Sequence, residues 1–122
     1  MGFLEIMSSL LAIIPAYNEE ECLYITVEEL KSRAPQIDFV VVNDGSKDHT
    51  KDICLENDYP MIDLPVNGGL TVGFQAGMKY AARHGYDRAI QFDADGQHDP
   101  AYIESMARCM VDTDADIVVG SR

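Results

Sequence analysis

The sequence has few basic residues: 9 Lys and Arg stand against 21 Asp and Glu, giving a net charge of −12 at pH 7 over 122 residues. A chain this acidic repels a phosphate backbone at long range, so we expect no nucleic-acid partner. An acidic protein that binds a nucleotide diphosphate must still offset the charge of the diphosphate, and a divalent cation can do this. The charge balance therefore favours a metal-dependent ligand over a nucleic acid.

Cysteine and long apolar runs are also scarce. The three cysteines (Cys22, Cys54 and Cys109) lie far apart without C-x-x-C spacing. We therefore expect neither a zinc site nor a disulfide framework. No apolar run approaches the ~18 residues of a membrane span, and no basic segment precedes Phe3 and Leu4 as a signal peptide requires. We expect a cytoplasmic protein that reaches the inner face of a membrane only through segments beyond Arg122. Residues 1–9 are a candidate leader or cloning remnant.

Short apolar runs alternate with longer helical patterns along the chain. The runs predict buried strands at residues 10–14, 38–43, 61–64, 89–93 and 116–120. Helices are predicted around residues 23–30, around Ile53, over residues 72–84 and over residues 101–110. This alternation predicts an α/β fold of three layers (α/β/α) around a mostly parallel sheet. Because no closing helix follows the last strand, we interpret residues 1–122 as the N-terminal part of a longer domain, truncated after its ligand-binding half.

Polar residues follow three of the predicted strands, at the edge of a parallel sheet where ligands bind. We expect these segments to meet at one crevice: Pro15-Ala16-Tyr17-Asn18-Glu19-Glu20, Asn43-Asp44-Gly45-Ser46 and Asp93-Ala94-Asp95-Gly96-Gln97-His98.

Asp93 and Asp95 form the strongest candidate metal site. Both carboxylates can face the crevice if the chain turns at Gly96, and charged oxygen ligands suit Mg²⁺ or Mn²⁺. The alternative is a loop of solvated acids that caps the next helix. Asp99-Pro100 already supplies that cap, so capping does not explain the pair.

For Asp44, Tyr17 and Glu19 the spacing leaves two interpretations open. Asp44 can accept hydrogen bonds from a base or ribose, or it can satisfy its own backbone in a strand-to-helix bend, with the helix beginning at Ser46 or Asp48. Tyr17 and Glu19 can contact the same ligand. They can equally be a partly buried loop aromatic and, with Glu20, acids of the first helical turn.

Glycines recur every four residues at Gly69, Gly73 and Gly77, although each costs roughly 0.5–1 kcal/mol inside a helix. We expect Gly77 to allow close packing of the helix on the sheet. The turn Asn67-Gly68-Gly69 is expected to approach the ligand.

Three segments together resemble the family 2 glycosyltransferases with the GT-A fold: Ala12-Ile13-Ile14-Pro15-Ala16-Tyr17-Asn18-Glu19-Glu20, Val40-Val41-Val42-Asn43-Asp44-Gly45-Ser46-Lys47-Asp48 and Phe92-Asp93-Ala94-Asp95-Gly96-Gln97-His98-Asp99-Pro100. The resemblance extends from residue 12 to residue 122. Asp116-Ile117-Val118-Val119-Gly120-Ser121-Arg122 is similar to the subset that transfers sugars to polyprenyl phosphates, like dolichol-phosphate mannosyltransferase.

The resemblance implies a UDP- or GDP-sugar donor, a possible lipid-phosphate acceptor, and Mg²⁺ or Mn²⁺ held by Asp93 and Asp95. It implies inverting transfer by a single displacement, with the base and acceptor surface beyond Arg122, so that this part alone binds better than it catalyses. The donor-binding residues it implies are Pro15, Ala16, Tyr17, Asn18, Glu19, Asp44, Gly45, Gly68, Gly73, Asp93 and Ala94.

Two positions depart from the family pattern. Phe74-Gln75 stands where many relatives have an Arg-Asn pair, which puts donor contacts from that helix in doubt. Asn43 stands where many relatives have a second Asp, a change expected to be harmless.

Four alternatives to a glycosyltransferase can be weighed against the sequence. A sugar-1-phosphate nucleotidyltransferase would need a basic, Gly-rich loop after the first strand, and residues 15–20 contain no basic residue. A P-loop is absent from the sequence, as is the pattern of a flavodoxin-like signalling module. A non-catalytic nucleotide-binding module stays open.

Overall fold

The computed structural model describes residues 9–92 and 117–119. Its strands are β1 (Leu10–Ala16), β2 (Asp38–Asp44), β3 (Met61–Leu64), β4 (Arg88–Gln91) and β5 (Ile117–Val119). Its helices are α1 (Leu23–Arg33), α2 (Thr50–Glu56) and α3 (Leu70–Arg83). The helix predicted over residues 101–110 lies outside the described residues, and so do Asp93, Ala94 and Asp95.

The strands form one five-stranded sheet in the order β3-β2-β1-β4-β5, and every neighbouring pair is parallel. Strands are added on one side of β1 up to β3, and the chain then crosses to the other side to form β4. In doubly wound sheets such a reversal opens a crevice at the carboxyl ends of the two central strands. The predicted parallel sheet is confirmed, and its switch point lies between β1 and β4.

Helices cover both faces of the sheet, which confirms the three predicted layers. Leu10, Ala12 and Ile14 of β1 pack in one apolar cluster with Leu23, Val27 and Leu30 of α1. Leu11 and Ile13 point to the other face and share a second cluster with Ala81 of α3. Residues 10–14 are fully buried, which explains why this strand is apolar at every position rather than at alternate ones.

β1 is two residues longer than predicted, because Pro15 and Ala16 continue the pairing with Val42 and Asn43 of β2. The missing N–H of Pro15 faces the β4 side, since Ile13 accepts the amide of Phe92 on that side. Pairing with β4 has ended there at Gln91. Pro15 therefore continues the strand without breaking a ladder hydrogen bond.

α1 begins at Leu23, at the predicted position, whereas α2 begins later than predicted, at Thr50. The carboxylate of Asp48 accepts the amide of Thr50 at 2.9 Å, so Asp48 forms a turn before α2 and the predicted start at Ser46 or Asp48 is wrong. Before α1, the Glu19 carbonyl accepts the amides of Cys22 and Leu23, closing a turn. Glu19 and Glu20 therefore precede the helix, and their interpretation as first-turn acids is wrong.

The predicted close packing at Gly77 is confirmed. A Cβ at this position would press on Cγ2 of Ile13 and lie 2.9 Å from its Cδ1 and Cγ1. Glycine therefore lets α3 approach β1 more closely than any other residue would. α3 begins at Leu70, two residues before the predicted start, and ends at Arg83.

Within residues 9–92 and 117–119, no helix is both long and apolar enough to cross a membrane.

Candidate functional site

Three loops lie at the carboxyl edge of the sheet: residues 17–22 after β1, residues 45–49 after β2 and residues 65–69 between β3 and α3. We call them the edge loops.

The first two edge loops are joined by a reciprocal pair of hydrogen bonds. The Asn18 amide donates to Ser46 Oγ at 3.0 Å, and the Lys47 amide donates to Asn18 Oδ1 at 2.8 Å. Asn18 adopts a left-handed conformation with φ of 54°, which Asn tolerates better than most residues. The loop that follows β1 is thus fixed to the loop that follows β2.

Two further backbone amides extend this junction. The Glu19 amide donates to Thr50 Oγ1 at 2.9 Å, and the Glu20 amide donates to Asp48 Oδ2 at 3.2 Å. Burial by itself would raise the pKa of Asp48, but its hydrogen bonds with Thr50 and with the Glu20 amide hold that pKa below the ordinary value. A charged Asp48 therefore remains available to hold both loops at neutral pH.

Asp44, the last residue of β2, binds the third edge loop. Its Oδ1 accepts the Gly68 amide at 2.8 Å and its Oδ2 accepts the Gly69 amide at 3.0 Å. The side chain is buried, with the residue 6% exposed. The partners lie 24 and 25 residues along the chain, so the interpretation of Asp44 as a turn residue satisfying its own backbone is wrong. Each oxygen retains a second lone pair that can accept from a ligand.

Gly45 lets the second and third edge loops come into direct contact. Its φ is +69°, and an added Cβ would meet the backbone nitrogen of Asn67 and lie 2.7 Å from the carbonyl carbon of Val66. Gly69 also has a positive φ, of 89°. The glycine-rich turn Asn67-Gly68-Gly69 thus packs on the end of β2, where it contacts Asp44 and Gly45.

Asn43, Asp63 and Lys51 form a polar cluster that the sequence did not reveal. Asn43 Nδ2 donates to Asp63 Oδ1 at 2.9 Å, while Lys51 Nζ lies 2.8 Å from Asp63 Oδ2. Lys51 lowers the pKa of Asp63, burial opposes this, and the Asn43 amide adds to the lowering. The only signal in the sequence is that Asp63 interrupts the apolar strand Met61–Leu64.

The structure brings together most of the predicted donor-binding residues that it describes. Asn18, Glu19, Gly45 and Gly68 belong to the edge loops, and Asp44 at the end of β2 binds the third of them. Pro15 and Ala16 are the last residues of β1, and Gly73 lies in the first turns of α3. Tyr17 directly follows β1 and is 40% exposed.

The predicted metal ligands Asp93 and Asp95 lie outside the described residues. Across the part of the chain that the structure describes, no three His, Cys, Asp or Glu side chains form a group that could hold a metal ion. The carboxylate oxygens of Asp93 and Asp95 are of the kind that Mg²⁺ and Mn²⁺ prefer.

Solved structures establish the fold class. The chain superposes on S. aureus TarS 1-349 in complex with UDP with a TM-score of 0.69 at 21% identity, covering 88% of this chain and 33% of that one. It also matches glucosyl-3-phosphoglycerate synthase from Mycobacterium tuberculosis, solved with Mn²⁺ and UDP-glucose, with a TM-score of 0.61 at 17% identity over 84% of this chain and 41% of that one. The fold is the predicted GT-A fold.

Sequence comparison then gives the family. Residues 11–122 match the family described as glycosyl transferase family 2, and the chain belongs to this family. It is 33% identical over 117 residues to an undecaprenyl-phosphate mannosyltransferase of Micrococcus luteus, covering 92% of this chain and 47% of that protein. It is 35% identical over 120 residues to a polyprenol monophosphomannose synthase of Mycolicibacterium smegmatis, covering 92% and 44%. The chain spans about half the length of these curated relatives.

Proposed function

We propose that this chain is the donor-binding part of a glycosyltransferase that moves a sugar, with inversion, from a UDP- or GDP-sugar to a polyprenyl phosphate. The observation that carries the proposal is the junction of the edge loops. Ser46 Oγ accepts the amide of Asn18, and the Asp44 carboxylate accepts the amides of Gly68 and Gly69. These bonds hold the three loops at the carboxyl edge of the sheet, where doubly wound proteins bind nucleotides. Membership of glycosyl transferase family 2 supports the same assignment.

The nucleoside would lie against the end of β1. Pro15, Ala16, Tyr17, Asn18 and Glu19 would surround it, with the exposed ring of Tyr17 offering an apolar face to the base. Asp44 would accept a hydrogen bond from the base or ribose with the lone pairs left free by Gly68 and Gly69. Gly45, Gly68 and Gly73 would border the ligand through their backbone atoms.

Asp93, Ala94 and Asp95 would complete the donor site, with the two carboxylates holding Mg²⁺ or Mn²⁺. The ion would neutralise the diphosphate as it leaves the anomeric carbon. The Mn²⁺ and UDP-glucose bound to the mycobacterial structure of the same fold support this role. The chain's net charge of −12 makes such a counter-ion more necessary.

The acceptor is proposed from two relatives, an undecaprenyl-phosphate mannosyltransferase and a polyprenol monophosphomannose synthase. A phosphate acceptor is already ionised at neutral pH, so its attack needs less help from a base than attack by a hydroxyl group. Any base would lie beyond Arg122. Because a polyprenyl phosphate is anchored in a bilayer, the reaction would take place at a membrane surface, which we propose is the inner face.

The donor site can be located by NMR on the ¹⁵N-labelled chain titrated with UDP or GDP in the presence of Mg²⁺. We expect the largest amide shifts at Asn18, Gly45 and Gly68. Shifts confined to the opposite edge of the sheet, around Asp38 and Tyr86, would exclude this site.

A test of the proposed acceptor requires the full-length protein. Incubated with radiolabelled UDP- or GDP-sugars and undecaprenyl phosphate in detergent, it should transfer label to a product that partitions into organic solvent. Transfer of label only to water-soluble acceptors would refute the lipid-phosphate assignment while leaving the donor site intact.

A further inference from the structure

We infer that Asp63, on the edge strand β3, is a positioning residue for the nucleotide site and acts on it through Asn43. The inference rests on the proposed donor site. It adds a pair of side chains, Asn43 and Asp63, that orient the loops of this site without touching the nucleotide.

Asp63 and Asn43 lie side by side in the sheet. They are register partners in the parallel pairing of β2 and β3, so their side chains project from the same face. Asn43 is buried, at 2% exposure, and its Nδ2 donates to Asp63 Oδ1 over 2.9 Å. Lys51 of α2 binds the other oxygen of Asp63 at 2.8 Å. The carboxylate is therefore fixed from two sides.

This contact decides which way the Asn43 amide points. With Nδ2 directed at Asp63, Oδ1 is left to accept the Ser46 amide at 3.3 Å. Ser46 in turn receives the Asn18 amide on its Oγ. A continuous chain of hydrogen bonds thus runs from Asp63 through Asn43 and Ser46 to the loop after β1.

Asn43 and Asp63 are chemically matched. An aspartate at position 43 could still accept the Ser46 amide, but it would have no N–H to donate to Asp63. Two carboxylates would then meet where a 2.9 Å hydrogen bond stands now, and like charges so close repel strongly. Exchanging the two residues restores the match. An asparagine at position 63 could donate its Nδ2 to the aspartate at position 43, but its Oδ1 would offer Lys51 only a neutral acceptor.

The test compares N43D with the exchanged double variant N43D/D63N in the purified protein. UDP or GDP affinity is measured by calorimetry with Mn²⁺, and hydrogen exchange of the Ser46 and Asn18 amides is measured without nucleotide. We expect N43D to bind about tenfold more weakly, the equivalent of one lost charged hydrogen bond, and the double variant to regain most of that loss. Amide exchange at Ser46 and Asn18 should accelerate in N43D and return toward wild type in the double variant.

Tyr59→Phe is the control for a general loss of stability. This substitution removes the 2.6 Å hydrogen bond that Tyr59, which precedes β3, donates to Glu28. It should leave the nucleotide affinity and the exchange rates of the Ser46 and Asn18 amides unchanged. Wild-type affinity in N43D, or a double variant no better than N43D, would overturn the positioning role.

If the wild-type protein binds neither nucleotide, the donor-site proposal fails. The exchange rates then still decide the matched pair: unchanged rates in N43D refute it, and accelerated rates rescued in the double variant support it.

Discussion

At the scale of single residues, Gly45 allows two edge loops to touch. It combines a left-handed backbone, with φ of +69°, and backbone atoms of Val66 and Asn67 where a side chain would stand. A flexible neighbour could move aside, but the backbone of a loop fixed by Asp44 cannot. Glycine is therefore required here for two independent reasons.

Gly45→Ala should lower the free energy of unfolding by about 2–5 kcal/mol, the sum of left-handed strain and steric overlap. Gly85→Ala is the matched control, because Gly85 has φ of +79° and a Cβ added to it would meet nothing within 4 Å. It should lose only the strain, about 1–2 kcal/mol. Urea denaturation measures both, and equal losses would show that the contact with residues 66–67 is not close.

Asp44 illustrates what the sequence could and could not predict. Its place after a buried strand identified it as a site residue, because ligands bind parallel sheets at that edge. Its partners could not be predicted, since Gly68 and Gly69 lie 24 and 25 residues away. The Asn43–Asp63 contact escaped prediction for the same reason: cross-strand neighbours depend on the register, which the sequence does not specify on its own.

Asp44→Asn should destabilise the protein by about 1.5–3 kcal/mol, because an amide has only one oxygen to accept the two amides of Gly68 and Gly69. The same exchange at exposed Asp58 should change the stability by less than about 0.5 kcal/mol. Chemical denaturation of both variants tests this. A loss at Asp44 no larger than that at Asp58 would mean that its carboxylate does not hold the third edge loop.

At the scale of elements, α3 shows how one glycine sets a distance between a helix and a sheet. The Ile13 side chain of β1 occupies the space above Gly77, while Gly73 one turn earlier meets only Val42 Cγ1 at 3.7 Å, an ordinary contact. The two glycines look equivalent in the sequence. Only the packing against the sheet distinguishes them.

Alanine substitutions at these glycines should therefore have opposite effects. Gly77→Ala should cost about 1–3 kcal/mol by forcing Ile13 or the helix to shift. Gly73→Ala should stabilise by about 0.4–1 kcal/mol, because alanine restricts the unfolded chain and fits the space available. Thermal and urea denaturation measure the change in the free energy of unfolding for each substitution. Stabilisation by both substitutions would contradict the packing of α3 on Ile13.

The order and type of the described elements could be predicted because buried parallel strands are short and continuously apolar. Their ends could not, since side chains from other parts of the chain set them. Asp48 delays α2 by holding the amide of Thr50, and β1 runs on to Ala16 because β2 still pairs with it there.

At the scale of the whole molecule, the strand order β3-β2-β1-β4-β5 gives the predicted residues a common location. The chain adds β2 and β3 on one side of β1 and then crosses to the other side to form β4, and doubly wound sheets bind ligands at such a switch point. The edge loops follow β1, β2 and β3 at the carboxyl edge of the sheet. Because the chain spans about half of its curated relatives, nucleotide binding is the activity to measure first.

Calorimetric titration with UDP and with GDP, each in Mn²⁺ and again in excess chelator, tests the proposed donor site most directly. We predict that one of the two nucleotides binds in Mn²⁺ and that its affinity falls at least about tenfold in chelator, because the ion offsets the charge of the diphosphate. Equal affinity in chelator would contradict the metal role of Asp93 and Asp95, and binding of neither nucleotide would contradict the donor site itself.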